Sequence, residues 1–353
     1  MPNTEPPPPA ANRHSPNRVP LEFTSSEAAE ITGLTELGLS PGARLADPPS
    51  TGGAAITAHG LTKAYKTVTA LKDVSIEIAP GEFYGLIGPN GAGKTTLMEI
   101  LQGLLSPDAG TVRVLGGKPA DRSPALLRRI GIQPQSTAFF TRATAREHLE
   151  TLADIYRVDR RRVGATLETF GLSEAARTRV DRLSGGERQK LAVASAMLHD
   201  PEVLFLDEPT AAMDTESRAE LVARLHQLRG SGITVLYTTH LLHEAERLCD
   251  RIAILDRGRV IANDTPAQLL ADSDLPTRLI LPLAVGRFDE IASLHEVLEI
   301  DLRDGRVELT VRAAGSALAA LVELGFDVSD VRIEAATLED VFLRLSGKES
   351  HHE

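Results

Sequence analysis

The sequence predicts an α/β fold: a buried parallel sheet carrying a phosphate-binding loop, followed by a small α+β unit. Three observations predict it. Short apolar runs, Val203–Leu206 and Ile233–Tyr237, have the length and composition of strands buried on both faces, and a helical stretch, Glu216–Leu228, joins them. A glycine-rich loop, Gly88–Thr95, stands between an apolar strand and a helix with an apolar face. Beyond Leu275 the order becomes strand, helix, strand, strand, helix, strand.

Along the chain, residues 1–53 come first and differ from the rest. Pro6–Pro9 is a proline run, and Pro16, Pro20, Pro41, Pro48 and Pro49 follow. A segment this poor in apolar surface cannot offset its ordering entropy and is expected to be a disordered tail. Within it, Thr24–Leu39 could hold a short helix, because Thr24 and Glu27 have capping-box spacing. From Ala55, strands are expected over Ile56–Tyr65, Leu71–Ile78 and Glu82–Ile87. The helix after the glycine loop should bury Leu97, Met98, Ile100, Leu101 and Leu104.

Residues 142–182 are helical in pattern and rich in Arg and Glu. The main domain is therefore expected over 54–272, with a helical subdomain at about 136–183. The last unit, 275–347, reads as Arg278–Ala284, Phe288–Leu294, Val297–Leu302, Arg306–Val311, Ser316–Leu324 and Val328–Ile333. Asp304-Gly305 forms a hairpin turn, and a closing helix spans Leu338–Leu345. Its β-α-β-β-α-β order is ferredoxin-like.

Composition bounds the function. The chain has 353 residues, 42% of them hydrophobic, enough to bury a substantial core. Its net charge is −11, so no broad basic surface for a nucleic acid is expected, although backbone amides can still bind phosphate locally. No run approaches the ~18–20 apolar residues of a membrane span, so a membrane function would need a separate partner. The start lacks the pattern of a signal peptide, and the single cysteine, Cys249, has no partner for an internal disulfide. Both features point to the cytoplasm.

Four stretches carry chemistry. Gly88-Pro89-Asn90-Gly91-Ala92-Gly93-Lys94-Thr95 fits G-x-x-x-x-G-K-[ST] completely. Its glycines let backbone N–H groups close around phosphates, Lys94 reaches the terminal phosphates, and Thr95 ligates Mg²⁺. Val203–Leu206 then delivers Asp207 and Glu208 to the carboxyl edge of the sheet, where Asp207 would hold Mg²⁺ and Glu208 orient the attacking water. Away from the glycine loop, such a strand is simply one entering a turn.

His240 ends Tyr237-Thr238-Thr239-His240 and by the same rule lies near Asp207. A lone histidine is more often a structural hydrogen-bonder, but its place at a strand end favours a functional role. Leu183-Ser184-Gly185-Gly186-Glu187-Arg188-Gln189 is a capped helix start, with Ser184 and Glu187 as the capping box. The two glycines weaken a helix and leave amides accessible to a second phosphate-bearing ligand.

In this order and spacing, the P-loop, LSGGERQ, LFLDEP and TTH resemble the nucleotide-binding domain of ABC transporters, over about Ala55–Leu270. The resemblance implies a P-loop NTPase cassette that hydrolyses ATP with Mg²⁺. It assigns ATP contacts to Tyr65, stacked on adenine, and to Gly88, Pro89, Asn90, Gly91, Ala92, Gly93, Lys94, Thr95 and Thr96. Gln135 would sense Mg²⁺ and the γ-phosphate. Ser184, Gly185 and Gly186 would contact the ATP held by an opposing subunit, and Asp214 would link the two sites.

The resemblance further implies a homodimer of cassettes, a separate membrane permease docked on the helical subdomain, and a location at the inner face of the cell membrane. Glu244–Arg251 and Thr337–Phe342 are similar to the daunorubicin-resistance branch of bacterial exporters. The alternative is a soluble ABC-type ATPase acting on nucleic acid or the ribosome. It is disfavoured by the lone P-loop, the absence of sustained heptads and the absence of a cysteine cluster. Glu208 and His240 argue against a protein that binds ATP without hydrolysing it.

One position departs from the family pattern. Thr210-Ala211-Ala212-Met213-Asp214 keeps the aspartate of the D-loop but has Ala212 where glycine is usual. An alanine there is expected to keep an ordinary backbone conformation, so that Ala212→Gly would loosen the loop. Since every nucleotide motif precedes Leu270, removal of 275–353 is expected to spare ATP binding.

Overall fold

A computed structural model describes residues 53–273, 275–282, 287–303 and 306–346. The proline-rich stretch up to residue 52, the possible helix over Thr24–Leu39, the Asp304-Gly305 turn and residues 283 and 284 lie outside the described residues.

β1 (Ile56–Tyr65) and β2 (Val68–Ile78) form an antiparallel hairpin. β3 (Phe83–Ile87) is buried along its whole length and leads through the glycine loop into α1 (Lys94–Leu101). β4 (Ala109–Val114), which the sequence pattern leaves unassigned, adds to the free edge of β1. α1 buries Leu97, Met98, Ile100 and Leu101, but Leu104 lies beyond its end and is exposed. The helix stops because Gly103 turns left-handed at φ 73° and packs so tightly on Pro119 that a Cβ there would stand 2.0 Å from its carbonyl oxygen.

After α2 (Pro124–Leu127) and β5 (Ile130–Gln133) comes the helical region, broken into two helices and two 3₁₀ turns. α3 (Ala145–Tyr156) starts with a Thr144/Glu147 capping box, and α4 (Arg161–Thr169) follows. The chain continues through α5 (Gly185–Met197), β6 (Val203–Asp207), α6 (Thr215–Gln227) and β7 (Thr234–Thr239). It then forms α7 (Leu242–Leu248), β8 (Arg251–Asp256), β9 (Arg259–Asp264) and α8 (Pro266–Ala271).

The main sheet has the order β5-β6-β7-β3-β8-β9, parallel except for β9. Alternate residues feed two cores: Leu204, Leu206 and Tyr237 face one, Val203, Phe205 and Leu236 the other. That two-sided burial explains the continuous apolar runs. Register pairs Asp207 with Thr238 and Ile87 with Thr239, so the chain leaves β6, β7 and β3 at a common edge.

The C-terminal region has a separate core of Leu279, Leu281, Val307, Leu309, Ala317 and Leu321. Here β10 (Thr277–Pro282), α9 (Phe288–Ala292), β11 (Val297–Arg303), β12 (Arg306–Val311), α10 (Ala314–Glu323) and β13 (Arg332–Glu334) build an antiparallel sheet in the order β11-β12-β10-β13. The strand expected from Val328 is only three residues long. Asp327 prevents an earlier start, because its carboxylate accepts from the Ser329 amide at 2.9 Å and closes a turn. The last helix, α11 (Leu338–Leu345), joins the cassette: Leu338 is fully buried in the core of α5, β6 and α7, and Phe342 packs against that core.

Candidate nucleotide-hydrolysis site

The glycine loop is fixed by its neighbours as well as by its own flexibility. A Cβ on Gly88 would stand 2.1 Å from the Leu255 carbonyl oxygen, and one on Gly93 would stand 2.5 Å from that of Ala70. Only glycine lets the loop lie this close to β2 and β8. Gly91, at the loop tip, faces open space. Lys94 is buried, and its Nζ donates to the carbonyls of Gly88 at 2.7 Å and Pro89 at 3.3 Å. Burial lowers its pKa, while Glu208 and Asp207 pull it back up. Thr95 is exposed in the first turn of α1, and Thr96 half-buried beside it.

At the end of β6, Asp207 Oδ1 accepts from the Thr238 hydroxyl at 2.6 Å. That same hydroxyl accepts from the Glu208 amide at 2.9 Å, so one side chain of β7 aligns both acidic residues. Burial raises the Asp207 pKa, Thr238 opposes the rise, and Glu208 adds to it. Glu208 has a left-handed backbone, φ 47°, which turns the chain sharply after the strand. His240 Nδ1 lies 3.5 Å from Glu208 Oε2, with the imidazole half-exposed. Lys94, Asp207, Glu208 and His240 thus gather at one sheet edge.

The other expected residues lie apart from this group. Tyr65 ends β1 in the three-stranded sheet, 44% exposed, with Lys63 Nζ 5.9 Å from its ring centre. Gln135 is exposed in the loop after β5, while its buried neighbour Gln133 donates to the Pro134 carbonyl. Ser184 caps α5 as expected, its hydroxyl accepting from Glu187 N and Glu187 accepting from Ser184 N. Gly185 faces open space, leaving its amide approachable. Gly186 does not: a Cβ there would meet Ser217 Oγ at 2.7 Å, so this glycine lets α5 and α6 pack closely. Asp214 N-caps α6, accepting from Ser217 N at 2.9 Å, and this bond lowers its pKa.

Ala212 corrects the sequence expectation. Its φ is 58°, the left-handed region that favours glycine, so alanine occupies the conformation the usual glycine supplies. Thr238 escaped the sequence reading because its partners come from another strand. The only signal was its place two residues before His240 at the end of a buried run.

The donors here suit Mg²⁺. Asp207 keeps one carboxylate oxygen free of the Thr238 bond, and Thr95 is exposed in the first turn of the helix that follows the P-loop. Both are hard oxygen ligands, and two adjacent acids beside a single lysine gain from an added cation. No cluster of three His, Cys, Asp or Glu occurs among the described residues. Mg²⁺ needs none, since phosphates and water complete its shell.

A parallel sheet that brings a lysine-bearing loop and two carboxylates to its carboxyl edge defines a P-loop nucleotide-binding protein. Residues 71–211 match the ABC transporter family. The chain is 36% identical over 303 residues to the daunorubicin resistance ATP-binding protein DrrA3 of Streptomyces coeruleorubidus, covering 83% of this chain and 96% of that one. It is 33% identical over 308 residues to the linearmycin resistance ATP-binding protein LnrL of Bacillus subtilis, covering 83% and 98%.

Among solved structures, an ATP-binding subunit of an ABC transporter aligns with a TM-score of 0.57 at 30% identity, covering 62% of this chain and 92% of that one. A cassette dimer in a post-hydrolysis state, bound to ADP and phosphate, aligns at 0.55 and 30% identity, covering 60% and 98%. The chain belongs to the ABC transporter family, as an ATP-binding subunit that hydrolyses ATP. Subunits of this family work with a transmembrane permease and dimerise. Among the described residues, no helix is long and apolar enough to cross a membrane.

Proposed function

We propose that this chain powers an exporter, as a homodimer of cassettes docked on a separate permease at the inner face of the cell membrane. The observation that carries the hydrolytic part is the meeting of Glu208 and His240 beside Asp207. The resistance and Nod factor export proteins among its relatives support the direction of transport.

Lys94, released from the Gly88 and Pro89 carbonyls, pairs with the terminal phosphates, a contact strengthened by its burial. Glu208 orients the attacking water, and His240 holds the Glu208 carboxylate in place. Asp207 and Thr95 would hold Mg²⁺, with Gln135 brought in from the loop after β5, and Mg²⁺ when bound would neutralise charge on the phosphates. Tyr65 stacks on adenine. Ser184 and the open Gly185 amide close the ATP site of the second subunit, where positioned donors stabilise charge in the transition state.

Co-expression with a candidate permease and reconstitution in vesicles tests this reading. ATP-dependent movement of cargo out of the cytoplasmic compartment, lost in Glu208→Gln, is the expected result. ATP hydrolysis that ignores every membrane partner would overturn the exporter assignment.

A further inference from the structure

Glu244 belongs to none of the nucleotide motifs, yet it is 2% exposed and holds three hydroxyls on one oxygen. Its Oε2 accepts from Tyr237 at 2.6 Å, Thr210 at 2.8 Å and Thr239 at 3.3 Å. Tyr237 and Thr239 belong to β7, whose end carries His240. Thr239 also accepts from the Leu241 amide at 2.9 Å, fixing the turn on the far side of His240. Thr210 sits in the loop that follows Glu208. One buried carboxylate therefore ties the segment after the water-orienting acid to the segment that bears the imidazole.

The loop it holds is strained. Thr210 lies between two non-glycine residues in the left-handed region, Glu208 at φ 47° and Ala212 at φ 58°. Such conformations persist only where surrounding contacts over-determine them. The second oxygen, Oε1, is buried without a hydrogen bond, and so is Arg218 Nε, 3.8 Å away. Arg218 in turn donates to the Met213 carbonyl at 2.9 Å, next to Asp214. The two orphaned atoms form an ion pair one small shift short of contact. Closing it would satisfy both and draw the Met213–Asp214 corner toward Glu244 on α7.

We propose that Glu244 is a positioning residue for ATP hydrolysis: it locks the loop from Glu208 to Asp214 onto the end of β7, holding Glu208 and His240 in register. Glu244 acts through its hydroxyl partners Thr210, Tyr237 and Thr239, not as one of the residues assigned to the nucleotide or the attacking water. The proposal rests on the assignment of Glu208 and His240 to hydrolysis.

Thr210→Val cuts the loop's tie at nearly constant shape, and Glu244→Gln keeps the size while removing the charge. Both are measured for steady-state ATPase activity, ATP affinity and melting temperature in the full-length chain. The expected result is a kcat lower by about tenfold or more, with KM and nucleotide affinity within about twofold. Thr210→Ser, which restores the hydroxyl, recovers most of the rate.

A rate within about twofold of wild type for both variants overturns the proposal. So does a loss in which KM, affinity and melting temperature fail together and Thr210→Ser does not rescue. Glu208→Gln and His240→Ala are run alongside. If those two retain activity, the hydrolysis assignment itself fails, an outcome distinct from inert Glu244 variants beside inactive Glu208→Gln.

Discussion

His240 Nδ1 stands 3.5 Å from Glu208 Oε2, at the ends of two strands that lie side by side in the sheet. Neither residue has another ion-pair partner among the described residues, so each is free to serve the space between them and the P-loop. Glu208→Gln removes the carboxylate proposed to orient the attacking water and leaves Lys94 and the loop intact. Hydrolysis should fall by about a hundredfold or more, with ATP affinity nearly unchanged. Size-exclusion chromatography with ATP should show an accumulating dimer. Wild-type turnover would remove Glu208 from its role.

Ala212→Gly now carries the opposite sign from the sequence expectation. At φ 58° alanine bears a left-handed penalty of about 1–2 kcal/mol, partly offset by the greater unfolded-state entropy of glycine, about 0.5–1 kcal/mol. The glycine variant should be more stable by about 0.5–1 kcal/mol, with ATP affinity unchanged and hydrolysis not reduced. Thermal unfolding beside an ATPase assay decides it. A lower melting temperature would mean that the loop leaves this conformation in solution.

His148 should make the protein sensitive to mild acid. It is buried between Phe139 and Phe140, with Nε2 on Ser195 Oγ at 3.2 Å, and burial lowers its pKa to about 4. The unfolded chain takes up this proton near pH 6.5, before the folded one does. The full contribution is therefore present above pH 6.5 and is lost as pH falls from 6.5 toward 4, up to about 3 kcal/mol in all. His148→Gln should flatten the dependence of melting temperature on pH across that window. An equally steep profile in the variant would assign the acid sensitivity elsewhere.

Leu338 belongs to the cassette's core despite lying beyond the C-terminal sheet. Leu338→Ala should therefore destabilise the nucleotide-binding unit by about 2–4 kcal/mol, as for other large-to-small core changes. Truncation at residue 275 removes α11 as well and should not leave a normal ATP-binding protein, contrary to the sequence expectation. A calorimetric scan with and without ATP separates the cases. If Leu338→Ala leaves the ATP-shifted transition in place, α11 is dispensable to the cassette.

Contiguous signals were legible in the sequence. The P-loop, Asp207, Glu208 and His240 each follow an apolar run, and one rule about strand ends places them together. The capping box at Ser184 was equally readable, since both members lie within one turn. What escaped depends on partners far apart in the chain. Thr238 aligns two acids on another strand, and Glu244 gathers hydroxyls from two segments. The packing reason for Gly186 comes from Ser217 on the next helix. The terminal helix packs on the cassette, which its sequence does not reveal, because an amphipathic pattern says which face is buried but not against what.

The burial of Leu338 in the cassette core, on a helix packed against α7 and α8, also sets an order of events at the ribosome. Translation proceeds from the N-terminus at roughly 5–20 residues per second, and early segments fold as they emerge. The cassette's own strands are all made by residue 264, yet the side chain that completes their core arrives only after the C-terminal sheet has been synthesised. Until then the apolar surface that Leu338 will cover has no partner from α11. A ribosome stalled within the C-terminal sheet would release a chain with every nucleotide motif present and its core unfinished.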